Sequence, residues 1–465
     1  MTTNDMHSDG VSRRDLLKFF GVAGLGTAAA AALGACTPSG GSSAPQTLST
    51  TSGSSGGAAG GPKGTATLWY NDDDLFKVFK SVVPSFNAKY PNVDLKLVGV
   101  DVGTKLAPTL ISGTGVPDGS FCADGAVTAQ ADKLYDLGKL MAPYVSDTVQ
   151  YKLDVNTVNG KLVGIPWDTD PGLFFYREDI LSAAGVNPAQ LISYDALLDA
   201  AREVKGKNPN ARPIPLEQDP NLGMQWLMML VSQQQGSGLT DANGNLTIDT
   251  DAYRNALTWI KKVADEGLGA RCKFASTAQV ALADNGTISI VPWAIWFNFL
   301  VQTALKKSSG KWRVAQLPAW KSGGARSGVM GGSSFVIPAK AAQPELAWLF
   351  YEHAIYSPQG IKQVFGPNPV YPNGLNTALP SVKSALSGPA LFKPLPQLGN
   401  TSLWGVASKA SLDIPPGYHV PTWFNQAANY LGANLQKLMD GKMSVDDVIK
   451  QSASDIKTNL VDRSR

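Results

Sequence analysis

The sequence predicts an α/β protein of two lobes, each a sheet flanked by helices. Strand-like and helix-like segments alternate from residue 65 onward, and the alternation starts again near residue 193. The chain has 465 residues, of which 43% are hydrophobic and 17% are charged. That length and composition are typical of a globular protein with two or three domains.

Strand and helix patterns follow each other closely in the first part of the chain. They are strand "TATLWY", helix "DDDLFKVFKSVVPSFNAKY", strand "NVDLKLVGV", helix "GTKLAPTLISG" and strand "DGSFCAD". This spacing implies a parallel sheet covered by helices, with ligands beyond the carboxyl ends of the strands. Polar groups follow three strands, at Asn71–Asp74, Asp124 and Trp167–Asp170. Helix capping or solvated turns would also explain each of them.

The second part of the chain predicts helices with recognisable starts. Helices are expected over "SYDALLDAAREVKG" and "DTDAYRNALTWIKKVADEG", and a capping box at Ser444 and Asp447 opens the last helix. "GTISIVPW" and "SFVIPA" are expected to be strands. The first of them ends at Trp293 and runs on towards Trp296.

Charge and composition disfavour several classes of function. The net charge is +3 at pH 7, which is too close to neutral to indicate a nucleic-acid-binding protein. Only three histidines occur, and no two of them have the spacing of a metal site. No Cys-x-x-Cys pair, phosphate-binding loop or nucleotide fingerprint is found. The sequence therefore predicts neither a cofactor nor a metal.

The N-terminus resembles an export signal. "SRRDLLK" resembles a twin-arginine motif, and the apolar stretch after it is short for a membrane span, although an anchor is the alternative. "LGAC" resembles a lipobox, which predicts removal of residues 1–35 and a lipid on Cys36. Residues 36–64 then form a flexible tether that is poor in large apolar side chains. These features predict a location at the outer face of the cytoplasmic membrane.

Five stretches, in this order, resemble the extracellular solute-binding proteins of ABC importers, in the carbohydrate-binding branch. They are "TLWYNDDD", "GVPDGSFCAD", "NGKLVGIPWDTDPGLFFYRED", "DNGTISIVPWAIW" and "PELAWLFYEHAIYSPQG". The resemblance implies a periplasmic-binding-protein-like fold, with a sugar held in a cleft between an N-lobe (65–170 and 322–374) and a C-lobe (171–321 and 375–465). It also implies a monomer, without enzymatic activity, that delivers its ligand to the transmembrane subunits of an ABC permease.

The resemblance further implies which residues contact the ligand. Asn71 and Asp73 would hold sugar hydroxyls from the N-lobe, and Asp124 falls beside another such position. The crossover residues Trp167, Asp168 and Asp170 would face the cleft. Trp296 and Trp423 would stack on the sugar. Trp296 matches the stacking position better than Trp293 does. The implied ligand-binding residues are Asn71, Asp73, Asp124, Trp167, Asp168, Asp170, Trp293, Trp296, Gly331, Gly332 and Trp423.

Two alternatives remain open at this point. Asp168 and Asp170 would suit a secreted glycoside hydrolase, although residues two apart on one turn seldom oppose each other across a glycosidic bond. The other alternative is a binding protein for a non-sugar polar solute, such as a glycerophosphodiester. Cys122 and Cys272 fall in different predicted lobes, where a disulfide would block closure, so both are expected to be free and buried.

The lipobox generates the first prediction. Cys36→Ser removes the thiol that would carry the lipid, so the protein should be released to the medium or remain as an uncleaved precursor. Fractionation of cells that produce the parent chain and the variant measures this. A variant of mature length that stays on the membrane as firmly as the parent would contradict the lipoprotein assignment.

Overall fold

The computed structural model describes residues 61–463. The predicted signal segment, Cys36 and the tether up to residue 60 lie outside the described residues. Within the described range, no helix combines the length and the apolar character that crossing a membrane requires.

Strands and helices alternate along this range. The strands are β1 Gly64–Asn71, β2 Val93–Val100, β3 Gly119–Ala123, β4 Thr157–Val158, β5 Lys161–Leu162, β6 Ile165–Pro166, β7 Asp168–Thr169, β8 Gly172–Arg177, β9 Ile214–Glu217, β10 Gly269–Cys272, β11 Ile290–Ala294, β12 Trp312–Gln316, β13 Ser333–Val336 and β14 Leu379–Pro380. The α-helices are α1 Asp74–Lys89, α2 Val102–Ser112, α3 Asp124–Val127, α4 Gly138–Met141, α5 Gln150–Asn156, α6 Glu178–Ala183, α7 Tyr194–Lys207, α8 Pro220–Gln235, α9 Asp251–Asp265, α10 Thr277–Asp284, α11 Asn298–Thr303, α12 Pro344–Tyr351, α13 Pro358–Phe365, α14 Lys383–Leu386, α15 Leu403–Leu412, α16 Phe424–Ala427, α17 Ala433–Met439 and α18 Val445–Ile456.

The first lobe contains a five-stranded sheet in the order β2-β1-β3-β13-β6. Strand β1 pairs in parallel with β2 and β3, which confirms the predicted parallel arrangement. Strand β13 arrives from much later in the chain and pairs antiparallel with both β3 and β6. The sheet is therefore mixed, and β13 brings residues near 333 beside the carboxyl end of β3.

The second lobe is built differently. Strands β11, β8 and β12 form an antiparallel sheet, and β9 and β10 form a separate parallel pair. The chain passes between the two main sheets at residues 167–171, between β6 and β8, and again at residues 317–332, between β12 and β13. Near these crossings β7 pairs with β14, and the Gly172 amide donates to the Gly328 carbonyl at 3.0 Å. The two-lobe architecture is confirmed, whereas the exact lobe boundaries stay a prediction.

Several predicted helix starts are confirmed by their capping bonds. Ser193 accepts from the Ala196 amide at the start of α7, and Ser444 and Asp447 form the reciprocal bonds of a capping box at α18. Helix α12 continues into a π-helical turn at Glu352–Tyr356, and another π-helical turn at Ala428–Gly432 joins α16 to α17.

The cysteines in the described part of the chain behave as expected. Cys122 and Cys272 are free and buried. Burial raises the pKa of each thiol to about 12, so neither is poised to react.

Helix α12 generates the second prediction. Trp348 is buried in this helix, and its ring lies 6.3 Å from that of Tyr144. Trp348→Ala should destabilise the protein by about 3 to 5 kcal/mol, because the deletion leaves a cavity that the lobe cannot fill. Thermal unfolding of the variant measures this loss. An unchanged melting temperature would place Trp348 outside the core.

Candidate ligand-binding site

A buried lysine links the elements that surround the cleft-side edge of the first sheet. Lys152, on α5, is fully buried, and its ammonium group pairs with Asp124 and lies 3.4 Å from Asp168 Oδ1. It also donates to the Ser333 carbonyl at 2.8 Å. Burial alone would lower the pKa of Lys152, but the two carboxylates raise it above its ordinary value. The lysine therefore stays charged, and its three donors are all occupied.

Asp168 is held by the strand that crosses back into the first lobe. Its Oδ1 accepts from the Ser333 amide at 2.8 Å, and its Oδ2 accepts from the Ser333 hydroxyl at 2.7 Å. Burial raises the pKa of Asp168 to about 6, while the charge of Lys152 opposes this rise. Both oxygens thus have protein partners, and Asp168 fastens the crossover to β13.

Asp170 differs from Asp168 in having spare capacity. Its side chain is 9% exposed, and its Oδ1 has no hydrogen-bond partner among the described residues. Burial, followed by the charge of Asp168, raises the pKa of Asp170 well above its usual range. A buried carboxylate oxygen without a partner is costly unless a ligand supplies the missing hydrogen.

Two glycines bring the backbone close to these acids. Gly331 and Gly332 have positive φ values of 88° and 114°. A methyl group on Gly332 would lie 2.5 Å from Asp124 Oδ2, so only glycine fits there. A methyl group on Gly331 would lie 3.6 Å from both Asp170 Oδ2 and Trp296 Nε1. Gly331 therefore marks the point where the acid and the indole converge.

An aromatic cluster forms the other side of this point. Trp293 is fully buried in β11, while Trp296 follows that strand and is 7% exposed. Their rings meet edge to face at 5.4 Å. Phe274, which is partly exposed, stacks on Trp293 at 5.4 Å and meets the edge of Trp296 at 4.7 Å. Since Trp293 has no accessible surface, Trp296 and Phe274 supply the exposed aromatic area.

Other residues that the sequence nominated lie elsewhere. Asn71 accepts from the Val102 amide, and Asp73 caps α1 by accepting from two backbone amides. Burial raises the pKa of Asp73 to about 7. The Trp167 ring lies in the core of the first lobe, 5.4 Å from Phe79, and donates to the Ser333 hydroxyl. The roles of Asn71, Asp73 and Trp167 in ligand binding stay predictions. The packing of Trp167 favours a role in positioning Ser333 over direct contact with a ligand.

Trp423 lies next to a contact between the lobes. It directly precedes α16, and it is 8% exposed. The neighbouring Phe424 approaches Gly125 at the start of the first lobe's α3, and Thr128 donates to the Pro421 carbonyl at 3.3 Å. This loop therefore packs against the segment that directly follows Asp124.

Sequence reasoning missed several residues of the site. They are Tyr151, Lys152, Glu217, Gln225 and Phe274. Glu217 ends β9 and Phe274 follows β10, so the rule that ligands lie beyond the carboxyl ends of strands would have indicated both. No motif marks Lys152, because only the tertiary fold brings it to Asp124.

Comparisons with known proteins agree with this architecture. The chain is similar to the arabinooligosaccharide-binding protein of Bacillus subtilis (strain 168), with 27% identity over 318 residues that cover 64% of this chain and 71% of the relative. It is also similar to the lactose-binding protein of Rhizobium radiobacter, with 24% identity over 412 residues that cover 83% of this chain and 91% of the relative.

A solved structure and a family match complete the comparison. The ABC transporter associated binding protein from B. animalis subsp. lactis Bl-04, in complex with β-1,6-galactobiose, superposes with a TM-score of 0.65 at 21% identity, covering 86% of this chain and 98% of that chain. At that identity the likeness concerns the fold alone. Residues 69–359 match the family described as bacterial extracellular solute-binding protein. Since this match spans more than half of the chain, the protein belongs to the bacterial extracellular solute-binding protein family.

Proposed function

We propose that this protein is the substrate-binding lipoprotein of an ABC importer, which binds a disaccharide or oligosaccharide between its lobes and delivers it to the membrane permease. Relatives named for arabinooligosaccharides and lactose support the sugar. The observation that carries the proposal is the convergence of the Asp170 carboxylate and the Trp296 indole at Gly331, together with the unpartnered Asp170 Oδ1.

The chemistry of this convergence suits a sugar. A sugar ring offers hydroxyl hydrogens at its rim and apolar C–H groups on its faces. Asp170 would accept from a hydroxyl in a charge-assisted hydrogen bond, while Phe274 and Trp296 would cover a C–H face. Closure of the lobes would then remove water from both contacts, as in other hinge-closing binding proteins.

Membership of the family implies an extracytoplasmic location. The proposal adds a diacylglyceryl group on Cys36, a tether over residues 37–64 and a monomeric body that docks on the permease subunits. The export motif and the lipobox in the sequence support this arrangement.

The crossover acids Asp168 and Asp170 are better suited to binding a ligand than to hydrolysing it. The family and the relatives are binding proteins. In the structure both Asp168 oxygens accept from Ser333, whereas a hydrolase needs two carboxyl groups free to act on opposite sides of the substrate. Turnover of aryl glycosides by the pure protein would overturn this reading.

A phosphate-bearing solute such as a glycerophosphodiester fits the site less well. Among the described residues, Lys152 is the only cation within ion-pair distance of Asp168, and none lies within that distance of Asp170. The Lys152 donors are occupied by Asp124, Asp168 and the Ser333 carbonyl. An anionic ligand would therefore meet carboxylates without a free cation to balance it.

The aromatic surface generates the third prediction. Trp296→Ala removes stacking area but leaves the carboxylates in place, so affinity should fall by about 2 to 4 kcal/mol. The probes are arabino-oligosaccharides, lactose and β-1,6-galactobiose, screened by thermal shift, and the tightest is then titrated by calorimetry. Trp348→Ala is the control, because it should lower the melting temperature and preserve affinity. If Trp296→Ala binds like the parent, the cleft lies elsewhere.

The fourth prediction concerns the support of Phe274. Glu217 is buried, and its carboxylate accepts from the Phe274 and Asp219 amides, each at 2.8 Å. Burial raises the pKa of Glu217 to about 7, against the effect of these two amides. Above pH 7 the ionised group can hold both amides, whereas the side-chain amide of Glu217→Gln offers a single acceptor oxygen. One backbone amide would lose its partner, and the Phe274 ring would be less firmly placed.

Glu217→Gln should therefore weaken sugar affinity roughly fivefold at pH 8 and have little effect at pH 5, where the parent side chain is also neutral. The free energy of unfolding should respond differently from the affinity. Because folding raises the pKa of Glu217, the parent loses stability as the pH rises from about 4.5 to 7. The variant lacks that loss, so its stability relative to the parent should be greater at pH 8 than at pH 5. Calorimetric titrations and unfolding curves at both pH values measure these effects. An affinity ratio independent of pH would show that Glu217 does not act through its charge.

A further inference from the structure

Most of the side-chain hydrogen-bond donors around Gly331 are already occupied by the protein. Lys152 donates to Asp124, Asp168 and the Ser333 carbonyl. The Trp296 indole donates to the Met330 carbonyl at 3.3 Å, and the Gln225 amide nitrogen donates to Asn221 Oδ1 at 2.6 Å. Lys152 and Trp296 therefore have no donor left over for a ligand, and Gln225 keeps one amide hydrogen.

The acceptors, in contrast, face the same point. Asp170 Oδ1 is buried without a partner, and Asp170 Oδ2 lies 3.6 Å from the position of a methyl group on Gly331. The Gln225 side-chain oxygen lies 4.0 Å from that position. Acceptors therefore outnumber free donors here, so the part of the ligand that lies at this point gains most by supplying hydrogens.

The charge around this point is also unbalanced. Asp124, Asp168 and Asp170 are all buried, and among the described residues Lys152 is the one cation within ion-pair distance of any of them. Lys152 forms ion pairs with Asp124 and Asp168, which leaves Asp170 without a cation in hydrogen-bond contact. A buried carboxylate in this situation favours a positively charged partner.

We infer that the position beside Gly331 takes a protonated amino group, so that the protein prefers amine-bearing sugars to their neutral counterparts and rejects acidic ones. This inference rests on the proposed sugar-binding function and specifies its substrate class. The ammonium group would donate to Asp170 and Gln225, with the sugar ring against Trp296 and Phe274. A hydroxyl would supply one hydrogen without charge, and a carboxylate would face Asp170 unfavourably.

The ionisation of Asp170 supports the same ligand. Burial and the neighbouring Asp168 and Asp124 raise the pKa of Asp170 and so favour its neutral form, whereas the charge of Lys152 opposes this rise. The Asp170 backbone amide donates to the Tyr151 hydroxyl at 3.3 Å. An ammonium group would draw Asp170 into its charged form and release a proton. The heat of binding should then depend on the ionisation enthalpy of the buffer for amine ligands, and much less for neutral ones.

The test compares matched sugars at pH 6. The probes are glucose, 2-amino-2-deoxyglucose, 6-amino-6-deoxyglucose and glucuronate, together with the corresponding four galactose compounds. Each is titrated against the parent protein, Asp170→Asn and the control Asp94→Asn, which removes an exposed carboxylate from β2. At least one amine should bind tenfold or more tightly than its neutral parent. The preference should disappear in Asp170→Asn and persist in Asp94→Asn.

Each outcome decides the question. Neutral sugars that bind as tightly as every amine would overturn the inference and leave the sugar-binding function standing. Tight binding of glucuronate or galacturonate, or an amine preference that survives in Asp170→Asn, would also overturn it. If no probe binds and the oligosaccharide panel gives no thermal shift either, both the inference and the proposed function are wrong.

Discussion

The ion pair between Lys152 and Asp124 is the interaction on which the site depends. It joins α5 to the start of α3, and through Asp168 and Ser333 it also fixes the crossover and β13. Buried charges are tolerated only when each has partners, and removing one partner typically costs about 3 to 5 kcal/mol. Loss of the lysine would leave two buried carboxylates uncompensated, so the geometry of the cleft wall would change along with the stability.

This network also divides the work between the two crossover acids. Asp168 is committed to Ser333 and Lys152, and so it shapes the site without facing a ligand freely. Asp170 lies two residues further along, beyond the reach of these partners, and keeps one oxygen open. The same short turn therefore supplies one carboxylate for structure and another for recognition.

Much of the fold could be predicted, because its signals are local. The cap at Ser193, the box at Ser444 and the strand "TATLWY" all depend on neighbouring residues and were found. The site was predicted in part. The family resemblance indicated Asp170 and Trp296, but Lys152 and Phe274 belong to the site only through contacts between distant segments. Likewise, spacing alone could not separate Trp293, buried in a strand, from Trp296 just beyond its end.

The crossings between the two sheets have a consequence for signalling. Because β7 pairs with β14 and Gly172 is bonded to Gly328, the connecting segments are tied to one another and would have to bend together. Such a linkage favours a single hinge motion of one lobe relative to the other. Every sugar small enough to be enclosed would then produce the same outer shape. The permease would then recognise the closed, ligand-bound conformation whichever sugar is enclosed. Discrimination among sugars would therefore have to take place in the binding cleft.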